Sequence, residues 1–401
     1  MGASTTAAAA SEGTVVAKRQ RSYTVIAVVD SGINPYHRDF RRPGLDVHPG
    51  SYIEGYPGEA SAMNLALRSP SFEVAMKKDA SSWSEVRSGR LYWIPGTNIV
   101  GFIDFAGEDS ARRGYDINGH GTASASIAAG RFSGPGTGDV LLVSVTGLVE
   151  GLKWASRQPW IDVITNSWGT LFPPGPVGGE AADASRAAVS SGKIVCFASG
   201  NFASPYIYQD SQGPSWNVNV GAASETTRGE HYYTSYPNDV LGLSGRPAAS
   251  NSSMTKTVTF SGTSAAAPAV CGLIAKTLAD VRDRLGDHVE GPHGRGLAVG
   301  ERTNRGPLRD GVLDRKELED AIQATAVPAE TAMPDPDDPN AVPALPIAGF
   351  LRGGYGIVDE ASARDALRVI LSRDPRPERS LEDWWIESTD EVRDAIWGNP
   401  P

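Results

Sequence analysis

The chain has 401 residues, 40% hydrophobic and 21% charged, with 45 glycines and 28 prolines, so it can bury a large core and must carry many loops. A net charge of -10 argues against nucleic acid or an anionic membrane surface as a partner. No apolar run of about 18 residues, the length a membrane helix needs, is present.

Residues 1 to 21 lack a basic stretch followed by an apolar one, so they carry no secretory signal and are expected to form a loose arm. Residues 24 to 29, TVIAVV, form a continuous β-branched and apolar run, the pattern of a strand buried on both faces of a parallel sheet, with Asp30 at its carboxyl end. Residues 41 to 98 read as an insertion rich in Ser, Gly and charge, after which LYWIPGTNIVGFID returns as a strand. NGHGTASA then opens an Ala/Ser-rich helix at His120. Leu148, Leu152 and Ala155 recur at helical spacing before IDVIT, residues 161 to 165, a second buried strand that runs into Asn166, Ser167, Trp168 and Gly169. AADASRAAVSSG is a helix closed by Gly192, and KIVCFASGN is a third strand ending at Asn201. SGTSAAAP leads from Ser264 into a long helix, with Pro268 early enough that its missing N–H is tolerated. LDRKELEDAIQATA and GGYGIVDEASARDAL read as closing helices, and residues 372 to 401 as an acidic extension whose Trp384, Trp385 and Trp397 are expected to pack back onto the domain.

Buried strands alternating with helices require a parallel sheet. The expected class is therefore α/β, in three layers, with a mostly parallel central sheet flanked by helices. Ligands bind such sheets outside the carboxyl ends of the strands, so Asp30, the segment after Thr165 and Asn201 are expected to share one crevice. Cys196 and Cys271, the only two cysteines, read as buried small hydrophobes, which fits a reducing compartment.

Three of these segments carry the residue types of nucleophilic catalysis. A serine hydroxyl is barely ionised at neutral pH and needs a base to take its proton as it attacks a carbonyl. Histidine, with a pKa near neutrality, can take that proton and return it to a leaving amine, and a carboxylate can fix its tautomer. Singly, Asp30 is an ordinary turn residue, His120 a helix-start residue and Ser264 an N-cap. Jointly, and in the chain order Asp, His, Ser, VVDSG, NGHGTASA and SGTSAAAP resemble the subtilisin-like serine peptidases, from about Tyr23 to Leu371.

The resemblance implies a serine endopeptidase of subtilisin-like fold acting through an acyl-enzyme. Asp30, His120 and Ser264 would form the triad, and Asn201, in ASGN, would supply the side-chain donor of the oxyanion hole. Ser167, Trp168 and Gly169, in ITNSWG, would present backbone groups to an extended peptide or protein substrate by strand addition. The HGT segment and Asn201 argue against the related sedolisin-type acid peptidases. Two other readings stay open: a dedicated maturation peptidase for one partner substrate, and a non-catalytic peptide-binding scaffold that keeps the fold.

The sequence also departs from the family. Ala123 stands where a second histidine is usual, and Trp168 where a medium aliphatic residue is common, so the indole either narrows a pocket or packs in the core. No cofactor is expected to be required. Calcium stays open, because Asp39 resembles one ligand of a family site while IAAGRFSGPGTG does not resemble the loop that completes it. No HExxH metal motif occurs. The stretch from GPGTGDVLLVSVTG to LVEGLKWA is short, which leaves one edge of the peptide groove undefined. The insertion at residues 41 to 98 is expected to cap part of the groove and restrict substrate choice. No chaperoning prodomain is recognisable before the first strand, so a cytoplasmic peptidase that folds unaided is expected, with a separate chaperone segment as the alternative.

Overall fold

The structure, a computed structural model, describes residues 23–65, 86–106, 114–135, 139–169, 179–202, 216–235, 238–285, 313, 315–329 and 353–371. The expected N-terminal arm, the C-terminal extension and the middle of the insertion lie outside these residues.

The first apolar run forms β1, Thr24–Asp30, buried along its whole length. Its neighbours are β5, Val140–Thr146, and β6, Val163–Asn166, both parallel to it. Next come β7, Ile194–Ala198, β8, Val218–Ser224, and β9, Val240–Ser244, with β12, Ile357–Val358, at that edge. At the other edge stand β4, Ile99–Asp104, β3, Leu91–Trp93, and β2, Ala62–Asn64. The ten strands follow the order β12-β9-β8-β7-β6-β1-β5-β4-β3-β2, and every pair is parallel except β3 with β4. A separate antiparallel pair joins β10, Arg246–Ala249, to β11, Thr257–Phe260.

β1 alternates between two cores, as the period of a strand demands. Ile26 and Val28 face one cluster, which also holds Ala125, Ala128, Val270, Ile274, Leu278 and Ala366. These residues come from α1, His120–Ala129, α4, Thr263–Leu285, and α6, Glu360–Leu371. Val25, Ala27 and Val29 face the opposite cluster, with Leu152, Ala155, Ala184 and Ala188 from α2, Leu148–Ser156, and α3, Glu180–Ser190. Helix, sheet, helix is the expected three-layer α/β arrangement. A further helix, α5, Arg315–Ala324, packs with α6.

Thr263–Arg284 in α4 is long and apolar enough to pass for a membrane span, yet 83% of its most apolar stretch is buried inside the protein. Lys276 and Asp280 interrupt the apolar run and pair with each other at 2.7 Å. Composition here reflects a core helix. α1 is buried from Gly121 to Ala129, and only small residues let it sit that deep: a Cβ on Gly121 would lie 2.3 Å from the Gly32 carbonyl oxygen. α3 ends as expected, with Gly192 just beyond it at φ +89°.

The insertion differs from expectation. LYWIPGTNIVGFID is two antiparallel strands, β3 and β4, because the turn at Pro95 breaks it. β2 and β3 extend the main sheet, and Ile53, Tyr56, Ala62 and Leu91 enter the core of the α2 and α3 side. Tyr56 meets Trp160 ring to ring at 4.7 Å and donates to the Val100 carbonyl at 2.5 Å. The described part of the insertion therefore builds fold, adding strands to the sheet and burying aromatic rings at its edge.

Candidate active site

The register puts the ends of the central strands level: Val29 pairs with Asn166, and Asn166 with Phe197. Asp30 and Ser167 thus emerge side by side at the carboxyl edge, with Asn201 three residues past the end of β7. α1 and α4, which contact one another and β1, begin at this edge and bring His120 and Ser264 to it.

His120 Nδ1 lies 2.8 Å from Asp30 Oδ1 and 2.9 Å from Oδ2. Asp30 is 6% exposed and the imidazole 31%, so the carboxylate is sheltered while part of the ring stays accessible. Burial alone would lower the His120 pKa. The hydrogen bond from the imidazole to Asp30 and the charges of Asp30 and Asp116 outweigh it and hold the pKa above the ordinary imidazole value. Phe260, from β11, packs edge-on to the imidazole with ring centres 5.0 Å apart.

Ser264 sits in the first turn of α4. Its hydroxyl donates to the Ser167 carbonyl at 3.5 Å, and the Ser167 hydroxyl donates to the Ser264 carbonyl at 3.0 Å. Among the described residues the structure gives Ser264 Oγ no hydrogen bond to His120. Such contacts are commonly loose before substrate arrives. Asn201 Oδ1 accepts the Thr263 backbone N–H at 2.8 Å and the Thr263 hydroxyl at 3.0 Å. Two donors on the oxygen fix the carboxamide's orientation and turn its NH2 group away from Thr263.

Trp168 packs against the core of the α2 and α3 side, edge-on to Phe197 at 5.7 Å. Its neighbours Ser167, 9% exposed, and Gly169, partly exposed, border the crevice. Ala123, where a second histidine was missing, joins a small apolar cluster with Ile127, Ala248, Ala265 and Ala269. Gly147 alone separates β5 from α2, so no loop rises between them to wall that edge of the groove.

Sequence reading missed the supports of this site. Asp116 is fully buried and accepts from the Ser31 hydroxyl at 2.9 Å and from the backbone N–H groups of Asn118, Gly119 and Thr122 at 3.1, 2.8 and 2.7 Å. Ser31 gives its own N–H to Asp30 at 2.7 Å and takes that of Gly121 at 2.9 Å. An acid ahead of a helix start caps free N–H groups, but the sequence alone does not set this one apart from an ordinary turn residue. Ser124 was missed as well; it donates to Asp30 Oδ2 at 3.0 Å.

Asp39, the residue that resembles a calcium ligand, has one carboxylate oxygen, Oδ2, buried without a hydrogen-bond partner among the described residues, and the other built into the turn. The Asp39 carboxylate accepts the Phe132 N–H at 2.5 Å, its carbonyl accepts that of Arg131 at 2.9 Å, and a Cβ on Gly130 would lie 2.5 Å from its other oxygen. Asp39 thus clamps the turn after α1 directly. Among the described residues no group of three His, Cys, Asp or Glu side chains could hold a metal.

A family model described as the subtilase family, Peptidase_S8, matches residues 21–290. Among solved structures, this chain is similar to a mutant of the protease domain of PatA, at 15% identity and TM-score 0.50 over 88% of this chain and 98% of that one. It is also similar to the prenylagaramide maturation protease PagA, at 16% identity and TM-score 0.48 over 86% and 93%. A cold adapted subtilisin-like serine proteinase aligns at 18% identity and TM-score 0.41 over 70% and 89%. A search of curated proteins found no match. With the family model spanning most of the chain on a parallel sheet of the matching kind, this protein belongs to the subtilases, which are serine-type peptidases acting on peptides or proteins.

Proposed function

We propose that the chain is an endopeptidase in which Ser264 is the nucleophile, His120 the general base and acid, Asp30 the carboxylate that holds His120, and Asn201 the side-chain donor to the oxyanion. The carrying observation is the 2.8 Å contact of His120 Nδ1 with Asp30. With Nδ1–H given to Asp30, Nε2 of the neutral ring carries no proton and can take the one that Ser264 gives up.

In this reading an extended peptide lies along Ser167, Trp168 and Gly169, exchanging backbone hydrogen bonds with them. A backbone N–H of the peptide donates to the Ser167 carbonyl in place of the Ser264 hydroxyl. Ser264 Oγ then forms a bond to the peptide's carbonyl carbon, and its proton passes to His120 Nε2. Charge builds on the carbonyl oxygen and meets the Asn201 NH2 group and the N–H groups at the start of α4, where the helix dipole also favours it. As the C–N bond breaks, His120 gives the proton to the leaving amine. Water then repeats the cycle on the ester, with His120 taking its proton. No step calls for a cofactor.

The test is a fluorophosphonate probe with intact-mass and peptide-mapping readout. One adduct on Ser264, absent from Ser264→Ala and slowed in His120→Ala, is the expected result. Folded protein that takes no adduct, or takes it elsewhere, refutes the assignment.

A further inference from the structure

Helical serines ordinarily return their hydroxyl proton to a carbonyl of the preceding turn. Ser126 in α1 does so, donating to the Ala123 carbonyl at 2.9 Å, as does Ser185 in α3 to Ala182 at 3.0 Å. Ser124 does not. It stands four residues after His120, one turn along on the same helix face, is fully buried, and donates instead to Asp30 Oδ2 at 3.0 Å. Asp30 Oδ1 takes the Ser31 N–H at 2.7 Å, and both oxygens face His120 Nδ1. The Ser124 hydroxyl is thus the donor that fixes Oδ2, the oxygen Ser31 leaves unheld.

We propose that Ser124 is a positioning residue for the reaction, resting on the triad reading above: its hydroxyl sets the rotation of the Asp30 carboxylate and, through it, the orientation and proton affinity of His120. A carboxylate sheltered from water is strengthened as an anion by each donor it gains and becomes a more avid acceptor for the imidazolium proton when one is removed. The charged groups that bear on His120 are Asp30 from β1 and Asp116 from the loop before α1. With the hydroxyl gone, Asp30 turns more of its acceptor strength on the imidazolium, so His120 gives up its proton only at higher pH. It also loses the restraint that aims Nε2 at Ser264.

The experiment is Ser124→Ala, which removes the oxygen and substitutes the best helix former. Expected are a kcat lowered by about tenfold, the scale of one donor lost from an ionised group, an unchanged KM, and an acid limb of kcat/KM moved to higher pH. Ser124→Thr, which keeps the hydroxyl, should restore the limb. Proton NMR of the hydrogen shared by His120 Nδ1 and Asp30, recorded in Ser264→Ala protein, should show its downfield resonance displaced by Ser124→Ala without any turnover. A folded Ser124→Ala enzyme with the wild-type limb and resonance overturns the proposal, and a chain that cannot fold without the hydroxyl overturns it in favour of a purely structural role. Fluorophosphonate labelling of the wild type separates the two levels: no adduct on Ser264 sinks the triad reading itself, whereas normal labelling with an unmoved Ser124→Ala profile sinks this inference alone.

Discussion

Asn201 and Thr263 are joined through two hydrogen bonds on one atom: Asn201 Oδ1 takes both the backbone N–H and the hydroxyl of Thr263, at 2.8 and 3.0 Å. The carboxamide oxygen therefore holds the residue before Ser264, and in the proposed mechanism the NH2 group at the other end is the donor to the oxyanion.

That division makes two substitutions differ. Asn201→Ala is expected to lower kcat by about 10² to 10³ with little change in KM, the size of effect known for losing one oxyanion-hole donor in subtilisin. Asn201→Asp keeps an acceptor for Thr263 while placing negative charge where the oxyanion forms, so it should lose more kcat than Ala and retain thermal stability better. Steady-state kinetics paired with melting curves would check both. A loss confined to KM would move Asn201 into ground-state binding.

Ser264→Ala should abolish hydrolysis, by about 10⁶ in kcat on the scale known for subtilisin, while peptide binding persists. A quenched fluorescent peptide measures the first and its anisotropy with the inactive variant the second. Near-normal cleavage by the alanine variant would remove Ser264 from the chemistry.

The pH profile follows from His120. Its pKa is held above the ordinary value, and the base must be unprotonated to act, so kcat/KM should rise along an acid limb lying above the usual histidine range. Asp116→Asn removes one of the negative charges that raise His120. The limb should then move to lower pH, opposite to the shift expected for Ser124→Ala. Because Asp116 also holds the start of α1 through Thr122, the same variant should unfold in less urea, by about 1 to 3 kcal/mol for a hydrogen-bonded buried charge.

Tyr56 tests whether the insertion is structural. It is 8% exposed and packs on Trp160, so Tyr56→Ala should cost about 3 to 5 kcal/mol, as for other large aromatic truncations. Tyr56→Phe, which loses only the bond to Val100, should cost about 1 kcal/mol. Chemical denaturation measures both. A Tyr56→Ala protein of wild-type stability would show that the insertion does not support the fold.

What the sequence made legible was local. β1, β6 and β7 are short apolar runs, and a run of that kind reports a strand buried on both faces without reference to anything distant. Asp30 and Asn201 could be placed from strand ends alone. Asp116 could not, because in YDINGHG it is indistinguishable from turn chemistry until Ser31, 85 positions away, is brought against it. Ser124 lay hidden in an Ala/Ser helix for the same reason, since only the fold says which hydroxyl faces a carboxylate. The insertion misled because charge and glycine dominate its composition, while the few residues that decide its place, Ile53, Tyr56 and Leu91, are spread too far apart to show a period.

β6 and α4 are tied together at both extremities. At the crevice, Ser167 and Ser264 exchange hydrogen bonds. At the opposite edge, Asp162, just before β6, takes Arg282 of α4 at 2.8 Å and the Val25 N–H at 2.8 Å. A helix latched fore and aft to the strand beneath it cannot slide along its axis without breaking a buried ion pair, a costly event. In the proposed mechanism the depth of Ser264 is therefore set by the framework, and sliding α4 along its axis is a costly route to silencing the enzyme.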